Sequence, residues 1–224
     1  MKIDAIVFDL DGVLVQTEEI WDEVRGRYIV EQGGRYDEEA QRAMMGMSSR
    51  EWSAYLADEL GVPRTAEQVN ADIVELMAAS YREHLPLIPG AVEAVERLAA
   101  GFTLGVASSS NRELIDLVLE LSGLGRHFRA TVSSEEVPRG KPSPDVYLEA
   151  ARRLGVPAVD CAAVEDSANG IRSAKAAGML VIAYPNEHYP PEAEALALAD
   201  AVIGSLGELV GAVGEAGRRP RQPS

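Results

Sequence analysis

The chain has 224 residues, enough for one large domain or for a core domain with a smaller insert, and its 46% hydrophobic and 25% charged residues are ordinary for a globular protein. Its formal net charge of -15 argues against a nucleic-acid-binding protein, which normally carries a basic surface, and against docking on an anionic membrane. The single cysteine, Cys161, excludes an intramolecular disulfide and indicates a reducing, cytoplasmic location, and no apolar run is long enough to span a bilayer.

The first predicted element is a buried strand at residues 3–8, which ends in Asp9, Asp11 and then Gly12. Side chains at positions i and i+2 share a face of an extended chain, and a glycine lets the chain turn at once. Two carboxylates held this close repel each other unless a cation compensates, and Mg²⁺ prefers oxygen ligands. The pattern indicates a metal site at the end of the strand, and the alternative is a strand that stops in an acidic loop.

Consecutive helices are predicted at residues 17–86, with breaks at three glycine-containing turns, one of them at Gly46. Apolar residues recur at helical spacing, and Thr65 has the character of a helix start. A helical insert directly after the first strand would lie above the strand ends as a lid. The alternative is an independent helical domain that only contributes stability.

The predicted domain boundaries follow from this insert. We expect a helical cap domain at residues 16–86 and an α/β core domain formed by residues 1–15 and 87–216. The tail at residues 217–224, which contains three arginines and two prolines, is expected to be mobile.

Strands and helices alternate through the rest of the chain. Further strands are predicted at residues 102–107, 129–133, 162–164, 180–183 and 201–203. Helices are predicted at residues 91–100, 113–121, 146–154, 167–177 and 206–213. The fold class is therefore α/β, with a doubly wound, mostly parallel, Rossmann-like sheet and an inserted α-helical cap. Ligands of such sheets bind at the carboxyl ends of the strands.

Polar residues follow two of these strands. Ser108, Ser109 and Asn111 lie at a strand-to-helix turn, where exposed N–H groups can hold a phosphate, although a helix-capping serine cluster has the same sequence character. Lys141 lies in a rigid Gly-Lys-Pro turn after the next strand, which fixes its direction. A lysine aimed at the carboxylates would pair with Asp9 and with phosphoryl oxygens, whereas a solvated loop lysine is the alternative.

A second acidic pair, Glu165 and Asp166, ends the strand at residues 162–164 and repeats the pattern of Asp9 and Asp11. These four carboxylates make up the predicted metal site. Asp166 is the expected third metal ligand, whereas Glu165 is expected to support the metal waters or Lys141.

Four segments resemble, in order, the motifs of the haloacid dehalogenase superfamily of phosphotransferases. They are FDLDGVL at residues 8–14, VASSS at 106–110, GKP at 140–142 and VEDSANG at 164–170. The resemblance covers nearly the whole chain and implies a type 1 cap at the position of the helical insert.

The resemblance also implies a mechanism. Asp9 would attack a phosphomonoester to form an aspartyl-phosphate, and Asp11 would protonate the leaving oxygen and later activate water. Mg²⁺ would be held by Asp9, the Asp11 carbonyl and Asp166. The phosphoryl oxygens would be held by Lys141, Ser108 and the turn amides of Asp11, Gly12 and Ser109.

Within the superfamily the chain resembles the β-phosphoglucomutase and sugar-phosphatase branch, through Thr17-Glu18, residues 46–51 and residues 165–170. Trp21 stands where those mutases carry a histidine, and it resembles the tryptophan of bacterial sugar phosphatases related to 2-deoxyglucose-6-phosphate phosphatase. We therefore expect Mg²⁺-dependent hydrolysis of a small sugar phosphate by a monomer or homodimer, with a mutase as the alternative. The expected substrate-binding residues are Gly12, Thr17, Trp21, Arg50, Ser109 and Asn111.

Trp21 and Arg50 also have structural alternatives to substrate binding. Trp21 would pack the cap against the core, and Arg50 would be a solvated cation at a helix start. A non-catalytic phosphoreceiver-like domain also has a parallel sheet, an acidic cluster and a phosphorylatable aspartate. Such a domain usually lacks a long helical insert after its first strand. A dehalogenase would lack the second aspartate and the metal site.

Overall fold

A computed structural model describes residues 2–44, 47–186 and 190–216 of the chain. In this part of the chain six strands form one sheet: β1 (Ala5–Phe8), β2 (Thr103–Ser108), β3 (Phe128–Ser133), β4 (Cys161–Glu165), β5 (Leu180–Ala183) and β6 (Ala201–Val202). The strand order is β3-β2-β1-β4-β5-β6, and each neighbouring pair is parallel. The predicted α/β class and parallel sheet are confirmed.

Strand β1 lies at the centre of the sheet, between β2 and β4. All four of its residues are buried, with Ile6 and Phe8 in one apolar core and Ala5 and Val7 in another. Because all four residues of β1 are apolar and alternate between the two cores, the strand can be buried on both faces of the sheet. The chain winds from β1 outward to β3 and then returns to β4 on the other side, so the end of β1 lies at the switch point where such sheets bind ligands.

The helices of the described residues cover the two faces and form the cap. Their bounds are α1 (Glu18–Glu31), α2 (Glu38–Met44), α3 (Ser49–Asp58), α4 (Ala66–Glu83), α5 (Ala91–Ala99), α6 (Arg112–Ser122), α7 (Asp145–Leu154), α8 (Ala168–Ala176), α9 (Ala193–Leu196) and α10 (Leu209–Ala216). Apolar residues of α5, α6 and α10 belong to the core that contains Ile6, and those of α7 and α8 belong to the core that contains Val7. The sheet is therefore doubly wound.

Helices α1 to α4 form the insert between β1 and α5. Trp52 and Leu56 of α3 and Ile73 and Met77 of α4 are almost fully buried, so this helical layer has apolar contacts of its own. Helix α4 begins at a capping box in which the Thr65 hydroxyl accepts a hydrogen bond from the backbone of residue 68. The helical cap predicted from the sequence is present.

The chain leaves and re-enters the sheet layer at adjacent points. The Gln16 N–H donates to the Pro86 carbonyl at 2.8 Å, and the Ile88 N–H donates to the Leu14 carbonyl at 3.0 Å. These crossings coincide with the predicted boundaries at residues 15/16 and 86/87, although the division into separate domains stays a prediction.

Some predicted bounds differ from the structure. Strand β1 begins two residues later than predicted, and the last predicted helix is a 3₁₀ turn at Leu206–Glu208 followed by α10. The short helix α9 was not predicted, because four residues are too few to show a helical period. The predicted break at Gly46 and the predicted tail at residues 217–224 lie outside the described residues. Among the described helices, the apolar stretches are all too short to cross a bilayer.

Candidate active site

The polar residues predicted at strand ends meet at one edge of the sheet. Asp9 directly follows β1, Ser108 ends β2, and Glu165 ends β4 with Asp166 after it. Lys141 reaches the same place from the loop between β3 and α7. A cavity of about 380 Å³ opens above this edge, and on the core side it is lined by Asp9, Asp11, Lys141 and Asp166 among others.

Lys141 holds the buried carboxylates together. Its Nζ donates to Asp9 Oδ1 at 2.7 Å and to Glu165 Oε1 at 2.5 Å, and all three side chains are less than a tenth exposed. The Tyr147 hydroxyl donates to the same Glu165 oxygen at 2.5 Å, and the other oxygen of Glu165 accepts from Ser167. Both oxygens of Glu165 therefore accept hydrogen bonds, one of them from Lys141, and its predicted role in supporting that lysine stays a prediction.

The site is short of positive charge. Burial alone would lower the pKa of Lys141, but the attraction of Asp9 and Glu165 outweighs it and raises that pKa, so the lysine stays charged. Burial raises the pKa of Asp9; Lys141 opposes the rise, while Glu165 and Asp11 add to it. The pKa of Asp166 is likewise raised by burial and then by repulsion from Asp9 and Glu165. Among the described residues, one lysine thus faces more buried carboxylates than it can neutralise.

A divalent cation fits this arrangement. Oxygen atoms of Asp9, Glu165 and Asp166 lie within 4.8 Å of one another, and hard cations such as Mg²⁺ prefer such all-oxygen sites. Gly12 has a positive φ of 81°, and a Cβ placed there would lie 1.9 Å from Asp166 Oδ2. Only glycine therefore leaves room for the Asp166 carboxylate in the position that it occupies beside the turn.

The Asp11 carboxylate is held by hydroxyl groups, apart from the cluster of the other acids. Thr17 Oγ1 donates to Asp11 Oδ1 at 2.5 Å, and Ser110 Oγ donates to Asp11 Oδ2 at 2.6 Å. Ser108 Oγ lies 3.4 Å from the same Oδ2 and accepts from the Ser110 N–H at 3.0 Å. This arrangement fixes a carboxyl group at the cavity, in a position from which it can give or take a proton.

Helix α1 and helix α3 supply the opposite wall of the cavity. Trp21 and Trp52 line it, and their ring centroids lie 5.9 Å apart. The Arg25 guanidinium lies over both rings, at 4.3 Å from the Trp21 centroid and 5.0 Å from that of Trp52. Glu18 lines the same part of the cavity. Trp21 therefore lines the cavity and packs against Trp52 of the cap, and its role in substrate binding stays a prediction.

Two residues predicted to bind substrate lie instead where the cap meets the core. Arg50 is exposed, its Nη2 donates to the Glu135 carbonyl at 3.3 Å, and it is not one of the described residues that line the cavity. Asn111 Nδ2 donates to Asn70 Oδ1 at 3.0 Å and to Glu135 Oε1 at 2.8 Å. Both contacts join cap to core, so a substrate-binding role for these two residues stays a prediction. Ser109, in contrast, lines the cavity.

Three residues of the site were not predicted to belong to it: Ser110, Tyr147 and Arg25. The run of three serines at residues 108–110 gave a signal for Ser110 but did not show which hydroxyl faces Asp11. Tyr147 lies on the buried face of α7, where an aromatic residue reads as core. Arg25 is one charge among many on α1 and has no motif.

Comparison with known proteins identifies a family model and relatives that match most of the chain. A family model described as haloacid dehalogenase-like hydrolase matches residues 3–178, which include all four motifs. Hexitol phosphatase B of Escherichia coli (strain K12) is 34% identical over 217 residues, covering 93% of this chain and 95% of that protein. The bifunctional riboflavin kinase/FMN phosphatase of Arabidopsis thaliana is 32% identical over 204 residues, or 90% of this chain. The chain spans only 53% of the length of that plant protein.

A solved structure with the same fold is that of a CbbY variant from Rhodobacter sphaeroides in complex with xylulose-(1,5)bisphosphate. It aligns with a TM-score of 0.82 and 30% identity, over 92% of this chain and 96% of that one. The likeness extends over core and cap together.

A substitution at Gly170 tests the tight space around Glu165. A Cβ at this position of α8 would lie 1.9 to 2.0 Å from the Glu165 carboxylate, so Gly170→Ala should lower the free energy of unfolding by about 1 to 3 kcal/mol. In α10, Gly211 has open space around it, and Gly211→Ala should be neutral or stabilise by about 0.5 to 1 kcal/mol. Urea unfolding measures both variants. Equal stability of the two would contradict the position of the Glu165 side chain.

Proposed function

Because the chain belongs to the haloacid dehalogenase-like hydrolase family, we propose that it is a Mg²⁺-dependent phosphatase that hydrolyses a small phosphomonoester, a sugar or polyol phosphate. The observation that carries this proposal is the contact of Lys141 Nζ with Asp9 Oδ1 at 2.7 Å, at the carboxyl end of the central strand. The activities of two relatives, hexitol phosphatase B and the bifunctional riboflavin kinase/FMN phosphatase, support the same reaction class.

Asp9 is the proposed nucleophile. A carboxylate needs no base to activate it at neutral pH, unlike a serine hydroxyl. Lys141 holds one oxygen of the Asp9 carboxylate and thereby orients the group toward the cavity. Attack of the carboxylate on the phosphorus would form an aspartyl-phosphate and release the alcohol, and water would then hydrolyse the acyl phosphate.

The proposed cation site consists of the Asp9 and Asp166 carboxylates and the Asp11 carbonyl. Bound there, Mg²⁺ supplies the positive charge that offsets the phosphoryl oxygens and the crowded carboxylates. Glu165, whose oxygens accept from Lys141, Tyr147 and Ser167, is proposed to act by holding Lys141. Lys141, Ser109 and the backbone amides of the two turns would hold the remaining phosphoryl oxygens, since phosphoryl transfer depends mainly on positioning and electrostatics.

Asp11 is the proposed acid and base. Its carboxyl group lines the cavity, and the hydroxyls of Thr17 and Ser110 fix its direction. It would protonate the leaving oxygen in the first step and accept a proton from water in the second. Since Thr17 immediately precedes helix α1, the position of the cap affects the orientation of Asp11.

A mutase of the β-phosphoglucomutase type is the alternative that shares this core. It would have to retain a sugar bisphosphate while keeping water from the aspartyl-phosphate. Trp21 and Trp52 offer apolar surface on the cap wall, and the one cation of the described α1 lining, Arg25, is accompanied there by the carboxylates of Glu18 and Asp22. A second phosphate would meet those carboxylates, which favours hydrolysis of a monophosphate. The cytoplasmic location and the monomeric or dimeric state stay predictions of the sequence.

An assay with a panel of phosphorylated sugars and polyols tests the proposal. Hydrolysis should require Mg²⁺, fall with excess EDTA and return when Mg²⁺ is added.

Asp9→Asn should lower kcat by at least about a thousandfold, because it removes the nucleophile. Asp4→Asn, at a half-exposed aspartate paired with Lys2, is the control and should change kcat by no more than about twofold. A folded Asp9→Asn variant with most of its activity would contradict the mechanism.

Asp11→Asn separates the two chemical steps. For an alkyl phosphate, which has a poor leaving group, kcat should fall by about 10² to 10⁴-fold. For an aryl phosphate, formation of the aspartyl-phosphate should be affected less than its hydrolysis, so the intermediate should accumulate. Rapid-quench experiments that measure enzyme-bound phosphate and free phosphate give the rates at which the aspartyl-phosphate is formed and hydrolysed. Equal losses in the two steps would count against a dual role for Asp11.

A further inference from the structure

The cap wall of the cavity contains a cation that the mechanism above does not use. Arg25, on helix α1, lies over the faces of Trp21 and Trp52 and lines the same cavity as Asp9 and Asp11. The two indoles are almost fully buried and contact each other, and the guanidinium packs against both of them. Arg25 is therefore a side chain of fixed position rather than a mobile surface arginine.

The guanidinium has hydrogen-bonding capacity to spare. Its Nε is buried and has no hydrogen-bond partner among the described residues. Because Nε is buried, a ligand in the cavity would meet the guanidinium at its terminal nitrogens, where a hydroxyl oxygen can accept a charge-assisted hydrogen bond. Burial lowers the pKa of Arg25 to about 10, while Glu18, Tyr36 and Asp11 oppose the shift, so the group remains a cation at neutral pH.

Arg25 lies on the side of the cavity that would hold the leaving group of the substrate. Thr17 donates to the Asp11 carboxylate and immediately precedes α1, on which Glu18 and Arg25 lie two turns apart. Both of these cap residues line the same cavity as Asp11, the proposed acid. The group that receives a proton from Asp11 is the oxygen that leaves with the alcohol. The part of the substrate next to Arg25 and Glu18 is therefore the alcohol rather than the phosphoryl group.

The charges around the cavity indicate what kind of alcohol it is. Among the described lining residues there are six carboxylates, those of Asp9, Asp11, Glu18, Asp22, Asp166 and Glu192. The cationic side chains of the described lining are those of Arg25, Lys141 and Arg172. Mg²⁺ and Lys141 serve the phosphoryl group, and the Arg172 guanidinium pairs with Glu192. A second phosphate or a carboxylate near Arg25 would face Glu18 and Asp22 as well, so a neutral alcohol suits this wall better.

We propose that Arg25 is a specificity-determining residue, which packs against Trp21 and Trp52 and donates hydrogen bonds to hydroxyl groups of a neutral polyol or sugar leaving group. Glu18, on the same wall, accepts from hydroxyls of that group. The parts of the two indoles that line the cavity give apolar contacts beside charged donors and acceptors, which suits a carbohydrate, since it has both C–H faces and hydroxyl edges. This inference rests on the proposed phosphatase activity and names the substrate class that the cap selects.

The test compares Arg25→Met with wild type on two monophosphates. Methionine keeps apolar bulk against the two indoles but donates no hydrogen bond. For a hexitol 6-phosphate, kcat/KM should fall by about 10 to 100-fold, mainly through KM, because hydrogen bonds to a charged donor are lost. For p-nitrophenyl phosphate, whose leaving group has no hydroxyls to contact, the change should stay within about twofold. Arg27→Met, at an exposed arginine of the same helix, should leave both substrates within about twofold.

Two further arms decide between outcomes. Arg25→Lys keeps the charge without the planar fork and should recover only part of the lost kcat/KM for the hexitol phosphate. Fructose 1,6-bisphosphate and 2-phosphoglycolate, which carry a second anionic group, should be poorer substrates of the wild type than the hexitol phosphate. A loss in Arg25→Met that is largest for these two substrates overturns the inference, because Arg25 would then serve an anion.

Binding can be measured without turnover, because the chain has two tryptophans and both flank Arg25. In an Asp9→Asn background, titration with the hexitol phosphate should change tryptophan fluorescence, and Arg25→Met should raise the fitted Kd by about tenfold or more. An unchanged Kd overturns the inference.

The activity results separate the two proposals. Equal losses on the hexitol and aryl phosphates, or no loss on either, overturn the role of Arg25 while the phosphatase proposal stands. If the wild-type enzyme hydrolyses the aryl phosphate but no polyol or sugar phosphate, the role of Arg25 is likewise overturned and the phosphatase proposal stands. Only a wild type that hydrolyses no phosphomonoester with Mg²⁺ overturns the proposed function, and this inference with it.

Discussion

The arrangement of this site depends on one electrostatic constraint: several buried carboxylates share Lys141 at the end of the central strand. The parallel sheet creates the constraint, because β1 and β4 are neighbours, Asp9 directly follows β1, and β4 ends in Glu165. Glycines at positions 12 and 170 make the crowding sterically possible, since a Cβ at either would lie within about 2 Å of a carboxylate atom. The acids keep a negative charge at this depth only with further positive charge, which accounts for the proposed cation.

The cavity divides into two chemically different halves. The core half holds fixed charges suited to a phosphoryl group, on strand ends that the sheet keeps rigid. The cap half holds two indoles, Arg25 and Glu18, which suit an uncharged, hydroxyl-rich alcohol. Asp11 lies at the boundary, because Thr17 at the start of the cap and Ser110 of the core both donate to its carboxylate. We infer that reaction type is set by the sheet and substrate choice by α1 and α3.

Much of the core half could be predicted from the sequence. Strand ends in a parallel sheet meet at one edge, so acidic pairs after two strands and a lysine after a third predict a shared site. The cap half could not be predicted in this way, because the orientation of helices over a sheet depends on contacts far apart in sequence. The sequence predicts that Arg50 faces the substrate, but it does not show the contact of Arg50 with the Glu135 carbonyl. Arg25 gave no signal in the sequence, although it lies over the two indoles. Tyr147 was missed because burial on α7 has the same pattern whether or not a hydroxyl reaches Glu165.

The central claim is that Asp9 carries the phosphoryl group during turnover. The enzyme, quenched while it hydrolyses a phosphomonoester, can be treated with borodeuteride, which reduces an acyl phosphate but leaves free carboxylates unchanged. Mass spectrometry of the digest then locates the reduced residue. The account predicts a deuterium-labelled homoserine at position 9, dependent on substrate and Mg²⁺. Label at Asp11 or Asp166 instead, or turnover with no label at Asp9 under conditions in which the intermediate accumulates, would contradict it.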